Sequence, residues 1–271
     1  MAAAPIGLSD EELTSLARVA GREADELGTE LAARPWAIHD VLAEPSTVDA
    51  VLHPDSAFEA TPPFVLFGVL TRLVADELLG STYVYDWVGP RRRLPVFDVE
   101  PLQEFVVAPG RVLFIARLLA SMVAPTGAKV PVITTDPWAL LDWVDVVDPE
   151  ARVELLRRLG DASLFLAGVH ADALGREVVS VERAVKIARS LGRTTDDVLS
   201  MVDEGSSSPA VDTLEQLGAC WYHEARRRKP EMAPVVADVA ERIRAARRFL
   251  NHLSDTFLAP IDTGVLFANS L

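Results

Sequence analysis

The stretch from Phe64 to Leu79, FVLFGVLTRLVADELL, limits the fold more than any other part of this chain. It is too long for one strand, which usually has about five or six residues, and it is apolar on most of its circumference. It predicts a buried helix that Gly80 stops. A helix of this kind must be enclosed by other elements, and the remaining sequence offers mostly helices to do so.

Start signals recur along the chain. Ser9 with Glu12 forms a capping box that opens an amphipathic helix through about Ala20. A polar helix over Glu23 to Ala33 follows, then a short one from Trp36 to Leu42 behind Pro35. Pro45, Pro54, Pro62 and Pro63 cut the next stretch into short pieces. Pro101 opens a helix that Pro109 interrupts, and Arg111 to Val123 continues as a second apolar helix. Asp136-Pro137 and Asp148-Pro149 each pair a capping carboxylate with a proline that needs no donor, which places helices at 137–147 and 149–159. Asp161 reads as the start of a third helix, ASLFLAGVHADAL, ending at Gly175. Helices over Ser180 to Leu191 and Thr195 to Val202 come next.

Strand signals are few. Tyr83, Tyr85 and Trp87 alternate, Gly89-Pro90 turns the chain, and Leu94 to Phe97 returns. The tip of this hairpin carries Arg91, Arg92 and Arg93. A short Val130 to Thr134 is the other strand candidate. The fold class is therefore all-α: a multi-helix bundle of about ten or more helices with one minor β-hairpin near residues 82–97. EGSSSP at 204–209 is the best linker, giving a main helical domain over 1–204 with the hairpin inserted. A C-terminal helical pair over 205–271 packs on the same core.

That pair comprises a helix from about Val211 to Arg228 and a long one from near Pro230 to about Leu258. In the second, Val236, Val239, Ile243, Ala246, Leu250, Leu253 and Phe257 fall on alternating three- and four-residue steps. Such a stripe packs within its own bundle, or it forms a homodimer seam through Val236, Val239, Ile243, Leu250 and Leu253.

Charge excludes whole classes of partner. Against 26 basic residues stand 40 acidic ones, a net −14, which repels nucleic-acid phosphates and anionic membrane surfaces. Only three of the basic residues are lysines, a skew in keeping with codon usage in a G+C-rich genome. The N-terminal residues lack a basic region followed by a long apolar one, so a soluble, cytoplasmic protein is expected. A single cysteine, Cys220, rules out an intrachain disulfide and any multi-cysteine metal site.

Spaced catalytic motifs are missing. There is no glycine-rich nucleotide fingerprint, no GxSxG, no SxxK, no HExxH and no Glu-x-x-His repeat. What remains are isolated charged and titratable residues. Arg72 and Arg117 interrupt apolar helices. Each lies on a narrow solvent-facing stripe, or it joins Asp161 and His170 in a pocket between helices that receives a small anionic ligand. Candidate acids for the arginines are Asp76, Asp161 and Glu104. His170 equally suits the end of a helix, where the dipole favours its charge. Trp221-Tyr222-His223-Glu224 is the densest aromatic and titratable cluster, with His223 and Glu224 about 100° apart on their helix. The Arg91–Arg93 run is an exposed tip, or a docking point for an acidic partner.

A helical binding or scaffold protein, self-associating through its last helices, is the first expectation. An enzyme or small-ligand binder using Arg72, Arg117, Asp161 and His170 is the second. A metal- or haem-binding protein using His170 or His223 is the third, although no cofactor and no metal site is predicted from spacing.

Overall fold

A computed structural model describes residues 7–53, 61–123, 136–174, 179–201 and 209–258. Fourteen α-helices and one two-stranded antiparallel hairpin occur among them, so the chain is all-α with a minor β element, as the apolar patterning required. Two compact units divide it: Met1–Gly80 with Val106–Ala124, and Ser81–Phe105 with Pro125–Leu271. The hairpin groups with the segment that follows residue 124.

The first unit opens with α1 (Asp10–Val19), α2 (Ala24–Ala33), a 3₁₀ turn (Pro35–Ala37), α3 (Ile38–Ala43), α4 (Pro45–Leu52) and α5 (Pro63–Gly80). The Ser9–Glu12 capping box that starts α1 is formed in both directions. The apolar stretch behind α5 is buried, with Phe64, Val65, Phe67, Val69 and Val74 nearly inaccessible. The chain then forms β1 (Val84–Gly89), β2 (Arg92–Val96) and α6 (Glu100–Val107), and α7 (Pro109–Val123) follows. α7 packs along α5, burying Val112, Ile115, Ala116 and Leu119. Each fully buried Leu, Ile or Phe contributes about 1.5–3 kcal/mol, so the side chains buried between α5 and α7 add substantially to this unit's stability.

The second unit is built on α9 (Pro149–Val169) and α12 (Pro209–Arg228), which pair along most of their length. Around them lie α8 (Pro137–Leu141), α10 (Val181–Leu191), α11 (Thr195–Leu199), α13 (Pro234–Glu241), α14 (Ile243–Leu253) and a π-helical turn (Ser254–Leu258). Two glycines on α9 set the approach of its neighbours. A Cβ at Gly160 would stand 2.6 Å from the Tyr222 ring, and one at Gly168 would stand 2.5 Å from Leu250. Leu155, Leu156, Leu159, Ile187, Leu217 and Trp221 fill the core beside them. The Trp221 indole N–H donates to Ser190 Oγ at 2.9 Å, so burial leaves no open donor on the ring.

Several boundaries differ from those read in the sequence. Asp161 does not start a helix; it lies inside α9, which runs unbroken to Val169. The helix begun at Asp136-Pro137 ends at Leu141 rather than near 147, and α11 ends at Leu199. The long helix expected to reach Leu258 is interrupted at Arg242, whose φ of −116° and ψ of 29° end α13 and precede α14. Val236, Val239, Leu250 and Leu253 are buried within the chain itself, and Ile243 is half-buried. The strand expected at Val130 to Thr134, the stop at Gly175 and the EGSSS linker lie outside the described residues. Among the described residues, no single helix is long and apolar enough to cross a membrane.

Candidate functional site on the hairpin

β1 and β2 pair Val84 with Val96, Tyr85 with Pro95, Asp86 with Leu94 and Trp87 with Arg93, with an irregularity between Trp87 and Gly89. Opposed residues share a face. Tyr85 and Pro95 therefore lie together, and Tyr83 and Phe97 meet one step further from the turn, with ring centroids 5.9 Å apart. Tyr83 also meets Tyr85 edge-on at 5.7 Å. All three rings are open to solvent, Phe97 at 73% of its surface and Tyr85 at 54%. An exposed run of touching aromatic side chains is uncommon on a protein surface.

The turn is held from outside the hairpin. Arg91 adopts a φ of 56°, a left-handed conformation that a side-chain-bearing residue rarely takes. Asp172, just beyond α9, stabilises it. Its Oδ1 accepts from the Arg91 backbone N–H at 2.8 Å, the Trp87 indole N–H at 2.6 Å and Arg93 Nη1 at 3.0 Å. Burial works to raise the Asp172 pKa, but the donated bonds from Arg93, Arg91 and Trp87 prevail and hold the carboxyl below its usual range. Arg93 also grips Asp255 with two parallel bonds, Nε to Oδ2 at 2.7 Å and Nη2 to Oδ1 at 2.8 Å. The basic tip read from the sequence is thus divided: Arg93 is committed to two carboxylates, while Arg91 and Arg92 stay exposed.

The opposite side of β1 rests on α14. Asp86 Oδ2 lies 2.7 Å from Arg248 Nε, and its Oδ1 lies 3.9 Å from Arg247 Nη1. Arg247 is only 5% exposed, and it also bonds Glu215 Oε2 at 2.8 Å and Asn251 Oδ1 at 2.6 Å. Arg248 Nη2 donates to the Asp98 carbonyl at 3.1 Å. Asn251 Nδ2 in turn donates to the Gly168 carbonyl at 2.6 Å, satisfying one of the acceptors that the end of α9 leaves over. Buried charges survive only when paired in this way. The network fixes the hairpin to α9, α12 and α14, so its aromatic face is presented by a rigid support.

The residues singled out from the sequence have other partners. Arg72 on α5 pairs with Asp76 at 2.7 Å, one helical turn away, and is partly exposed. Arg117 on α7 lies over the Phe64 ring at 3.5 Å, donates to the Gly7 carbonyl at 3.0 Å and pairs with Glu12, which was not among the acids expected for it. Both arginines belong to the first unit, and Asp161 and His170 to the second.

Asp161 is 2% exposed. It accepts from Tyr222 Oη at 2.7 Å and from Arg157 Nη1 at 2.6 Å. Burial raises its pKa against the pull of Arg157 and Tyr222, and burial with the Asp161 charge raises that of Tyr222. The arrangement ties α9 to α12, with Asp161 and Tyr222 closed to solvent and Arg157 partly exposed at its edge. His170 caps the C-terminus of α9, edge-on to Phe165 at 5.1 Å. Burial lowers its pKa, so the charged form that a helix dipole would favour is disfavoured here.

His223 points outward, and Glu224 inward, where it binds Arg227 and Arg228. Among the described residues no three His, Cys, Asp or Glu side chains gather in a way that could hold a metal ion.

Fold and site together define an all-α protein in two compact units that carries an anchored β-hairpin with an exposed aromatic face. No family model, no curated protein and no solved structure matches the chain.

Proposed function

We propose that this chain is a binding or scaffold protein whose recognition surface is the outer face of the hairpin. The observation that carries the reading is the cluster of Tyr83, Tyr85 and Phe97, exposed and in mutual contact on a support of paired, buried charges. Tyrosine and phenylalanine are among the side chains that binding interfaces favour. A photoreactive phenylalanine analogue at Tyr85, installed in the native host, should give one discrete adduct. The same probe at Val146, which is 71% exposed in the same unit, should give none. Loss of the Tyr85 adduct on adding Tyr83→Ser and Phe97→Ser would support the reading; equal labelling from both sites would end it.

The reading as a small-ligand binder or enzyme finds less support. Arg72 and Arg117 already have acids of their own, and Asp161 is sealed between helices. Self-association through Val236, Val239, Ile243, Leu250 and Leu253 would require the second unit to give up four side chains that it already covers, all but the half-buried Ile243.

A further inference from the structure

We propose that His39 is an acid-operated latch: when its ring gains a proton, the segment 35–43 detaches from α5 and the start of α7 while the second unit stays folded. The geometry comes first. His39 is buried on α3, and its Nε2 is buried with no hydrogen-bond partner among the described residues. The other ring nitrogen donates to the Pro109 backbone carbonyl at the start of α7. The neutral tautomer is thereby set, with the proton on Nδ1 and the lone pair on Nε2. A further proton has no acceptor to point at. It would create a buried N–H without a partner, and its charge would stand near Arg72. The charged groups that reach the ring are Arg72 and Asp76 on α5 and Asp40 on its own helix; from α7 it meets the Pro109 carbonyl. The two carboxylates favour the charged ring, and Asp76 is itself engaged by Arg72 at 2.7 Å. Burial outweighs them and Arg72 adds to it, so the pKa falls from 6.5 to about 4.

Detachment is local because little holds the segment at its ends. The 3₁₀ turn has three residues and α3 has six, and neither start carries a side-chain cap. What seats the segment is apolar: Ile38, Val41 and Leu42 are buried, and Leu42 lies against Gly68 of α5, where a Cβ would stand 3.0 Å away. Release therefore bares the strip of α5 beside Gly68, a surface that is covered at neutral pH. The direction follows from linkage. In the open segment the ring is in water and titrates at its ordinary 6.5, whereas in the closed one it resists the proton down to about 4. Opening is thus favoured as pH falls below 6.5, and between pH 7 and 5 the open population rises about 20-fold.

Hydrogen exchange on the full chain at about pH 7 and pH 5, corrected for the intrinsic pH dependence of exchange, tests the latch with two non-titrating variants. His39→Gln keeps a donor for the Pro109 carbonyl, and His39→Phe keeps a flat ring in the core; either suffices if the other fails to fold. In the wild type, protection of the amides over 41–44, which the end of α3 engages, should fall about 20-fold from the higher pH to the lower. In the variants it should change by less than about 3-fold. Amides of α9 and α12 should keep their protection in all three proteins. Constant wild-type protection overturns the proposal, as does an equal fall in a folded variant or a fall shared with α9 and α12. So does a His39 resonance that titrates near 6.5 in the folded chain, since the closed segment would then admit the proton freely.

Discussion

His39 shows how far surroundings set the chemistry of one side chain. The imidazole is 7% exposed and stacks near Trp36 at 6.5 Å between centroids. Burial first, then the nearby charge of Arg72, lowers its pKa from 6.5 to about 4. The folded protein holds the ring neutral where the unfolded chain would protonate it. The stability this provides is complete above about pH 6.5 and is lost as pH falls through that value toward 4, a span of about 3 kcal/mol at most. In His39→Gln, which cannot titrate, denaturant stability should depend less on pH between 6.5 and 4 than in the wild type. Parallel curves for the two proteins would show that the ring does not carry this linkage. His39 gave no sign of burial in the sequence, since it sits on a six-residue helix too short for periodicity to speak. The Arg72–Asp76 pair was readable because four residues on a helix bring side chains together. The Arg117–Glu12 pair was not, because its members stand 105 residues apart.

At the scale of the element, the hairpin owes its shape to a residue outside it. Alternating aromatics and Gly89-Pro90 suffice to place two strands and a turn, but the left-handed Arg91 is secured only by the three donors that converge on Asp172. Asp172→Ala should therefore loosen the hairpin locally. The cost is about 1–2 kcal/mol, less than for a fully buried acceptor because the carboxylate is 39% exposed. Hydrogen exchange should report it as faster amides over 84–96 with α9 and α12 unaffected. Unaltered hairpin protection would remove Asp172 as the anchor.

Helix ends follow the same logic. Ser9, Asp136, Asp148, Ser180 and Thr194 cap helices because the next turn supplies the amides they need, and those interactions are local. Asp161 resembles them in sequence, yet Tyr222 and Arg157 take its oxygens and the helix passes through.

For the molecule as a whole, the dominant electrostatic fact is the excess of carboxylates. A net −14 destabilises any compact state through self-repulsion, while many individual acids are paired with arginines. Between roughly 20 and 200 mM salt the screening length falls from about 20 Å to below 10 Å, which relieves the long-range repulsion more than it weakens pairs in direct contact. The thermal midpoint should accordingly rise over that range. A fall would mean that local ion pairs, not net charge, govern stability. Division into two units means that such melts need not be a single transition, so the midpoint of each observed phase is the quantity to follow.

By itself the sequence determined the all-α class, the hairpin's place and most helix starts. Each of these follows from interactions within a few residues, from apolar periodicity, or from the backbone limits of proline and glycine. Tertiary structure alone decided which charges became interior. Arg93 reaches an aspartate 162 residues away, and Arg247 a glutamate 32 residues away on another helix. A charged side chain in isolation belongs in water, and it becomes a buried strut only when packing delivers its counter-ion. The aromatic face is exposed for the complementary reason: the charges beneath it hold the hairpin with that side turned out.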